Sequence, residues 1–119
     1  MNPKYFEIAK RLSVNSDHHQ HKIGAVVVKR NQIIGMGFNK MRTHPKSPHP
    51  YKSCHAEFCA VKNIKPELLK DAAIYVYREN RQGSTALAKP CPSCFSLLKS
   101  LLITHIYYTI NNGWALETV

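Results

Sequence analysis

Two short segments of the sequence contain side chains that could hold a metal ion. One is His55-Ala56-Glu57 and the other is Pro90-Cys91-Pro92-Ser93-Cys94. One imidazole nitrogen and two thiolates suit a borderline-soft metal, for which zinc is the leading candidate. Three protein ligands (His55, Cys91 and Cys94) leave a fourth tetrahedral position for water, which is the arrangement of a catalytic rather than a structural zinc site.

Glu57 follows His55 by two positions, so it need not point at the metal and can instead reach a metal-activated water. Zinc lowers the pKa of a coordinated water to about 7. A carboxylate beside that water can take its proton and pass it to a leaving amine. Attack on an amino-substituted ring carbon with loss of ammonia is hydrolytic deamination. Glu57 is therefore predicted to be the catalytic proton shuttle of a zinc-dependent hydrolase.

The same residues allow other interpretations. His55 alone could be a buried core histidine, and the Cys91–Cys94 pair could be a redox pair or half of a zinc knuckle. No second Cys-x-x-Cys motif accompanies it. Cys54 could complete a closed Cys3His site, although adjacent residues rarely ligate one ion together. Cys59 is predicted to be a small core residue.

Length and composition limit the class of protein. The chain has 119 residues, enough for one domain over residues 1–119. Hydrophobic residues make up 44 %, which argues against disorder. No run approaches the roughly 20 apolar residues of a membrane span, and the charged N-terminal residues exclude a secretory signal. A cytoplasmic location follows by default (the host cytoplasm for a viral protein), and with it reduced cysteines.

The charge is strongly positive and unevenly placed. The chain has 17 Lys and Arg against 7 Asp and Glu, a formal charge of +10. No acidic residue occurs between Asp17 and Glu57, an interval that contains Lys22, Lys29, Arg30, Lys40, Arg42, Lys46 and Lys52. One interpretation is a surface that meets phosphate on a nucleotide or nucleic acid. The other is a solvated basic face that aids solubility.

Apolar spacing predicts three main helices. Asn2-Pro3 is typical of a helix start, and helical spacing continues to Leu12. A second helix is predicted from Cys54 to Ile64, and Pro66 marks either its end or the start of a short extra turn. The third helix is predicted from Cys91 to Leu102.

Strands are predicted at Ile23–Val28, Ile33–Phe38, Ala72–Tyr77 and His105–Ile110, with a long loop over 39–53 between the second and third. Gly35 and Gly37 lie inside the second strand, where they indicate a bulge or the close approach of another backbone. The order of elements predicts a layered α/β domain. In it, a hairpin is extended by strands added in parallel through right-handed helical crossovers.

Together the two chemical segments resemble the signature of the zinc-dependent cytidine/deoxycytidylate deaminase superfamily. Lys22–Val28 and Ile34–Asn39 are similar to that family's first two strands, and the resemblance covers roughly residues 3–110. It implies a three-layer α/β/α fold, a mixed sheet of four to five strands with helices on both faces. Trp114–Thr118 would be the fifth strand. A polar insertion over Arg81–Ala88 makes the interval between the two segments long for the family.

The resemblance also implies roles for individual residues. Zinc would be held between two helix N-termini, with Glu57 as proton shuttle; the ligands would be His55, Cys91 and Cys94. Asn39 and Ala56 would contact the substrate. The basic side chains near them are candidate phosphate contacts: Lys40, Arg42 and Lys46. The histidine ligand argues against free-nucleoside cytidine deaminases, and segment 39–45 is similar to small deoxycytidylate-deaminase-like proteins.

The leading hypothesis is therefore zinc-dependent deamination of a cytosine-type nucleotide such as deoxycytidylate, a small-molecule substrate. One alternative is a nucleic-acid base deaminase acting on tRNA adenosine or single-stranded cytosine, which the charge of +10 favours. Another is a zinc-stabilised binding module without catalysis, against which the intact Glu57 argues. The resemblance further implies a homo-oligomer formed through helices near the site.

Overall fold

The structure is a computed structural model that describes residues 2–16, 22–40, 55–80 and 82–118. Helices and strands follow one another in the predicted order, and the fifth strand is present. The elements are α1 (Pro3–Ser13), β1 (Lys22–Lys29), β2 (Gln32–Phe38), α2 (Ala56–Val61), α3 (Pro66–Leu69), β3 (Ala73–Glu79), α4 (Pro92–Ser100), β4 (His105–Ile110) and β5 (Gly113–Thr118). Among the described residues, no helix has the length and apolar character needed to cross a bilayer.

The five strands form one mixed sheet in the order β2-β1-β3-β4-β5. β1 pairs antiparallel with both β2 and β3, β3 pairs parallel with β4, and β4 pairs antiparallel with β5. The predicted parallel addition is correct for β4 and wrong for β3. The chain crosses the sheet after β2 and returns beside β1, not beside β2. Because β1 runs opposite to β2, a strand that keeps the direction of β2 is antiparallel to its actual neighbour.

Helices cover both faces of the sheet, which confirms the three-layer α/β/α fold. On one face, Tyr5 and Ala9 of α1 pack with Val26 and Tyr75. The opposite face carries the larger cluster of buried residues, to which α2, α3 and α4 contribute Ala60, Leu69 and Leu98 among others. Burying both faces explains why β1 is buried without interruption from Gly24 to Val28 and does not alternate between buried and exposed residues.

Local signals fix the ends of the helices. The Asn2 side chain accepts a hydrogen bond from the Lys4 backbone N–H at 3.0 Å, as expected of an N-cap. α2 and α4 are shorter than predicted because His55 (ψ 149°) and Cys91 (ψ 163°) are extended N-cap residues and lie outside their helices. α4 also ends early, since Leu102 adopts a positive φ of 63°.

The two glycines of β2 confirm the predicted bulge and close approach. The β1–β2 register shifts between Val27 and Val28, which pair with Gly35 and Ile33 and leave one extra residue on β2. A Cβ added at Gly37 would lie 2.5 Å from the Ala60 nitrogen and 2.8 Å from the Ala56 oxygen. The helix α2 therefore rests directly on the backbone of β2, which places its N-terminus at the end of that strand.

Replacing Gly37 with alanine is expected to destabilise the fold by about 1–3 kcal/mol or more, because the added methyl group must push α2 away from the sheet. Chemical denaturation of the purified protein measures the change. Gly113→Ala is the matched control, since a Cβ there meets nothing nearer than 3.7 Å. Equal stability of the two variants would contradict the close packing of α2 on β2.

Candidate functional site

The three predicted metal ligands lie at the starts of two helices. His55 is the N-cap of α2 and Cys91 is the N-cap of α4, and neither side chain caps its own helix in the described structure. Cys94 is in the first turn of α4, one turn beyond Cys91, where Pro92 begins the helix. Since neither N-cap side chain bonds to its own helix, all three side chains can point towards a common centre.

The ligand atoms of these residues are close enough to share one metal ion. Nδ1 of His55 lies 3.6 Å from Sγ of Cys94 and 3.8 Å from Sγ of Cys91. All three ligand atoms lie within 4.8 Å of one another. With Zn–S near 2.3 Å and Zn–N near 2.0 Å, neighbouring ligands of a tetrahedral zinc are separated by about 3.5–3.8 Å. The donor set and the two nitrogen–sulfur distances therefore fit zinc.

Glu57 is buried beside this group, with only 4 % of its surface exposed. Burial raises the pKa of its carboxyl group, while hydrogen bonds from the Cys94 side chain and from backbone lower it. Burial likewise raises the pKa of the Cys94 thiol, and the Glu57 charge raises it further. A buried carboxylate and thiolate are costly to hold together without a cation. A divalent metal ion at this point would compensate both.

The other predicted site residues are not among the three ligands that the structure brings together. Asn39 follows β2 and is buried; its Oδ1 accepts a hydrogen bond from the Ile23 N–H at 2.9 Å, which ties the strand ends together. Ala56 is fully buried at the start of α2. The Lys40 ammonium lies 5.2 Å from the Phe38 ring centroid. Lys40 lines a cavity of about 280 Å³, and the three ligands are not part of that lining.

Three residues for which the sequence analysis considers a role in the site lie outside the described residues: Arg42, Lys46 and Cys54. Their predicted roles, in phosphate binding for the first two and in a closed metal site for Cys54, stay predictions. Cys59 is 8 % exposed and packs with Phe58 and Leu97, as expected for a small core residue.

The segment that leads to Cys91 is held by a threonine that the sequence analysis did not single out. Thr109 is 3 % exposed. Its hydroxyl donates to the Ala86 carbonyl at 2.7 Å and accepts from the Arg78 N–H at 3.1 Å. The Ala88 N–H in turn donates to the Thr109 carbonyl at 2.9 Å. A short polar side chain among the aromatic and aliphatic residues of β4 was the available signal, because a buried polar side chain there must find partners.

Replacing Thr109 with valine is expected to lower the unfolding free energy by about 1–3 kcal/mol, because two buried backbone partners lose their hydrogen bonds. Since these bonds fix the segment before Cys91, the affinity for zinc is expected to fall as well. Denaturation and competition with a zinc chelator measure the two effects. Thr118→Val, at an exposed position of β5, is the control. Unchanged stability in Thr109→Val would contradict the anchoring role.

Most of the chain, including the three ligands, matches a known protein family. The family described as "Cytidine and deoxycytidylate deaminase zinc-binding region" matches residues 2–110 of the chain. This chain belongs to the cytidine and deoxycytidylate deaminase family. The resemblance inferred from the two chemical segments is thus confirmed, and the deaminase family's zinc-binding region coincides with the part of the chain that carries His55, Cys91 and Cys94. No curated protein sequence matches the chain.

Solved structures of other deaminases share the fold. The dCMP deaminase from cyanophage S-TIM5 is 23 % identical over 92 % of this chain and 86 % of its own, with a TM-score of 0.63. The cytidine deaminase from Burkholderia pseudomallei is 17 % identical over 99 % and 92 % of the chains, with a TM-score of 0.69. Guanine deaminase from Bacillus subtilis is 22 % identical over 92 % and 65 %, with a TM-score of 0.62. These likenesses show a common fold across deaminases of different substrates.

Proposed function

We propose that this family member is a zinc-dependent hydrolase that removes the amino group of a cytosine-type nucleotide such as deoxycytidylate, releasing ammonia. The observation that carries the proposal is the convergence of His55, Cys91 and Cys94 within 4.8 Å, with the buried Glu57 hydrogen-bonded to Cys94. Three ligands leave one tetrahedral position for water, as catalytic zinc sites do.

The chain's own residues supply the proton transfer. Zinc, when bound by His55, Cys91 and Cys94, supplies a Lewis acid that makes water a nucleophile at neutral pH. The Glu57 carboxylate accepts a proton from the attacking water and returns it to the leaving amine, so the net reaction consumes water and yields ammonia. Burial raises the pKa of Glu57, which makes its carboxylate a stronger base than an exposed glutamate.

A phosphorylated substrate is supported by charge. The chain carries +10. Lys22, at the start of β1, lies beside the end of β2, from which the chain continues through Lys40 to His55. Cations here favour an anionic substrate over a free nucleoside or base. Another structure of the cyanophage S-TIM5 dCMP deaminase holds dCMP and dUMP, which supports the choice of a cytosine nucleotide for this chain.

The test is ammonia release from the zinc-loaded protein with deoxycytidylate, cytidine, cytosine and guanine as substrates. We expect kcat/KM to be highest for deoxycytidylate and lower by at least about tenfold for cytidine, which lacks the phosphate. Faster turnover of guanine would overturn the substrate class. Zinc-loaded protein that deaminates none of them would overturn the proposed nucleotide deaminase, and it would indicate a binding module if oligonucleotides are not deaminated either.

A nucleic-acid base deaminase is a second candidate, which the charge of +10 favours. Such an enzyme must grip the backbone around an unstacked base, so its kcat/KM falls steeply with salt. Single-stranded oligonucleotides that contain cytosine, and a tRNA anticodon stem-loop that contains adenosine, test it beside deoxycytidylate. Preference for an oligonucleotide with a steep salt dependence would favour this candidate; no deamination of either would remove it.

A further inference from the structure

A second cavity lies on the α1 face of the sheet, at the end away from the metal ligands. It has a volume of about 440 Å³ and is lined by the β1–β2 turn and by the first residues of β3 and β4. The segments that carry His55 and Cys91 instead follow the last residues of β2 and β3, and their helices cover the other face. Six residue steps separate Ala73 from Glu79, which corresponds to about 20 Å along β3.

Parallel aromatic rings form one wall of this cavity. Tyr75 and Tyr107, which are paired in register on β3 and β4, stack with centroids 4.5 Å apart and an angle of 13° between their planes. His105 extends the row, 6.2 Å from Tyr107 and tilted by 14°. Tyr107 and His105 are only half-buried. The exposed part of each ring offers an aromatic, apolar contact against which a nucleobase can pack.

Two cations form the opposite wall. Lys29 ends β1 and Arg30 begins the β1–β2 turn, and within the described residues neither forms a salt bridge. Among the described residues that line the cavity, Asp71 is the one acidic residue beside the two cations, and its carboxylate can accept a hydrogen bond from an amino group. Unpaired lysine and arginine side chains beside aromatic rings are complementary to a phosphorylated aromatic ligand.

The two walls are separated by a distance that suits one nucleotide. Val28, Ala73 and His105 form a single cross-strand row, so two strand spacings, about 10 Å, separate the cationic turn from the aromatic strand. Ala73 lies between the cationic turn and the aromatic strand, and its small side chain leaves the space between them open. We propose that this cavity binds a nucleotide, with its base against Tyr107 and His105 and its phosphate at Lys29 and Arg30.

The fluorescence of Trp114 tests the proposal in the full, zinc-loaded chain. Trp114 is the only tryptophan, and its ring lies 6.1 Å from Tyr107. Titration with deoxyadenosine monophosphate is expected to change its emission with a saturable dependence. In the double variant Lys29→Gln/Arg30→Asn the dissociation constant is expected to rise at least about tenfold, because two charge-assisted phosphate contacts are lost. Asparagine tolerates the positive φ of 52° at Arg30.

Two controls separate binding in this cavity from other effects. Lys10→Gln/Arg11→Gln removes an equivalent consecutive pair from α1 and should leave the dissociation constant unchanged. Tyr107→Leu should weaken binding by about tenfold, whereas Tyr107→Phe, which keeps the ring, should not. No emission change, or equal affinity in the two double variants, would overturn the proposal. Deamination by Lys29→Gln/Arg30→Asn should equal that of the unaltered chain. An absence of nucleotide binding in this cavity is therefore distinguishable from an absence of the proposed deaminase activity.

The source of the nucleotide is decided by a parallel titration with a short single-stranded oligonucleotide. A free nucleotide as ligand predicts that the oligonucleotide binds no more tightly than the monophosphate, with a shallow salt dependence. A nucleotide within a strand predicts tighter binding and a steeper salt dependence, because neighbouring phosphates also release counterions. If Lys29→Gln/Arg30→Asn binds neither the monophosphate nor the oligonucleotide, the result supports this cavity as the binding site in either case. If the variant binds both as the unaltered chain does, the result contradicts the proposal.

Discussion

Glu57→Gln is expected to abolish deamination while leaving the zinc content of the protein unchanged. Glutamine has nearly the size of glutamate but cannot accept a proton from water and return it to the amine. General acid–base catalysis contributes about 10²–10⁴-fold, so kcat/KM for deoxycytidylate should fall by at least about a hundredfold. Ammonia release and zinc content are measured on the same sample, so a loss of metal cannot be mistaken for a loss of proton transfer.

Glu67→Gln is the matched control for this experiment. Glu67 is an exposed residue in the first turn of α3, and its replacement should change neither zinc content nor turnover. Removing the buried charge of Glu57 should not unfold the chain, because burial disfavours the ionised form of that carboxyl group. Full activity of Glu57→Gln with zinc bound would show that Glu57 is not the proton shuttle.

Cys94→Ala is expected to lose both zinc and a large part of the protein's stability. Cys94 is fully buried and belongs to the group of three ligand atoms. Structural zinc contributes about 10–16 kcal/mol to the folding of zinc-finger peptides, so even a fraction of that amount exceeds the stability of many small domains. Metal analysis should find the variant close to zinc-free, and thermal unfolding should occur well below that of the unaltered chain.

Cys59→Ala separates loss of a ligand from loss of a buried thiol. Cys59 is also buried but contacts Phe58 and Leu97 and is not among the three ligands. Its replacement should cost about 1 kcal/mol of packing and leave zinc content unchanged. A chelator should destabilise Cys59→Ala and the unaltered chain alike and have no effect on Cys94→Ala. A full zinc complement in Cys94→Ala would exclude Cys94 as a ligand.

Much of the site could be predicted because its signals are local in sequence. The spacing of Cys91 and Cys94 fits one turn at a helix start, and His55 and Glu57 belong to one short segment. Gly35 and Gly37 correctly indicated a bulge and a close backbone approach, since only glycine leaves room for one there. These inferences need the geometry of a few residues and no knowledge of the tertiary fold.

The features that the sequence did not predict correctly depend mostly on relations between distant parts of the chain. The position of β3 depends on which edge of the β1–β2 hairpin it joins, and no local pattern specifies that edge. The role of Thr109 depends on Arg78 and Ala86, which are separated from it by 31 and 23 residues. Apolar spacing alone puts His55 and Cys91 within their predicted helices, because it does not distinguish an extended N-cap residue from the first helical one.

The ligand atoms also come from two different crossover connections of the sheet. His55 precedes β3 and Cys91 follows it, with 36 positions between them, so they meet only after β3 has been inserted between β1 and β4. Loop closure of this length is costly in an unfolded chain. Metal binding should therefore follow the rate-limiting step of folding. Zinc is then expected to slow unfolding without accelerating refolding, which stopped-flow kinetics with and without a chelator would measure.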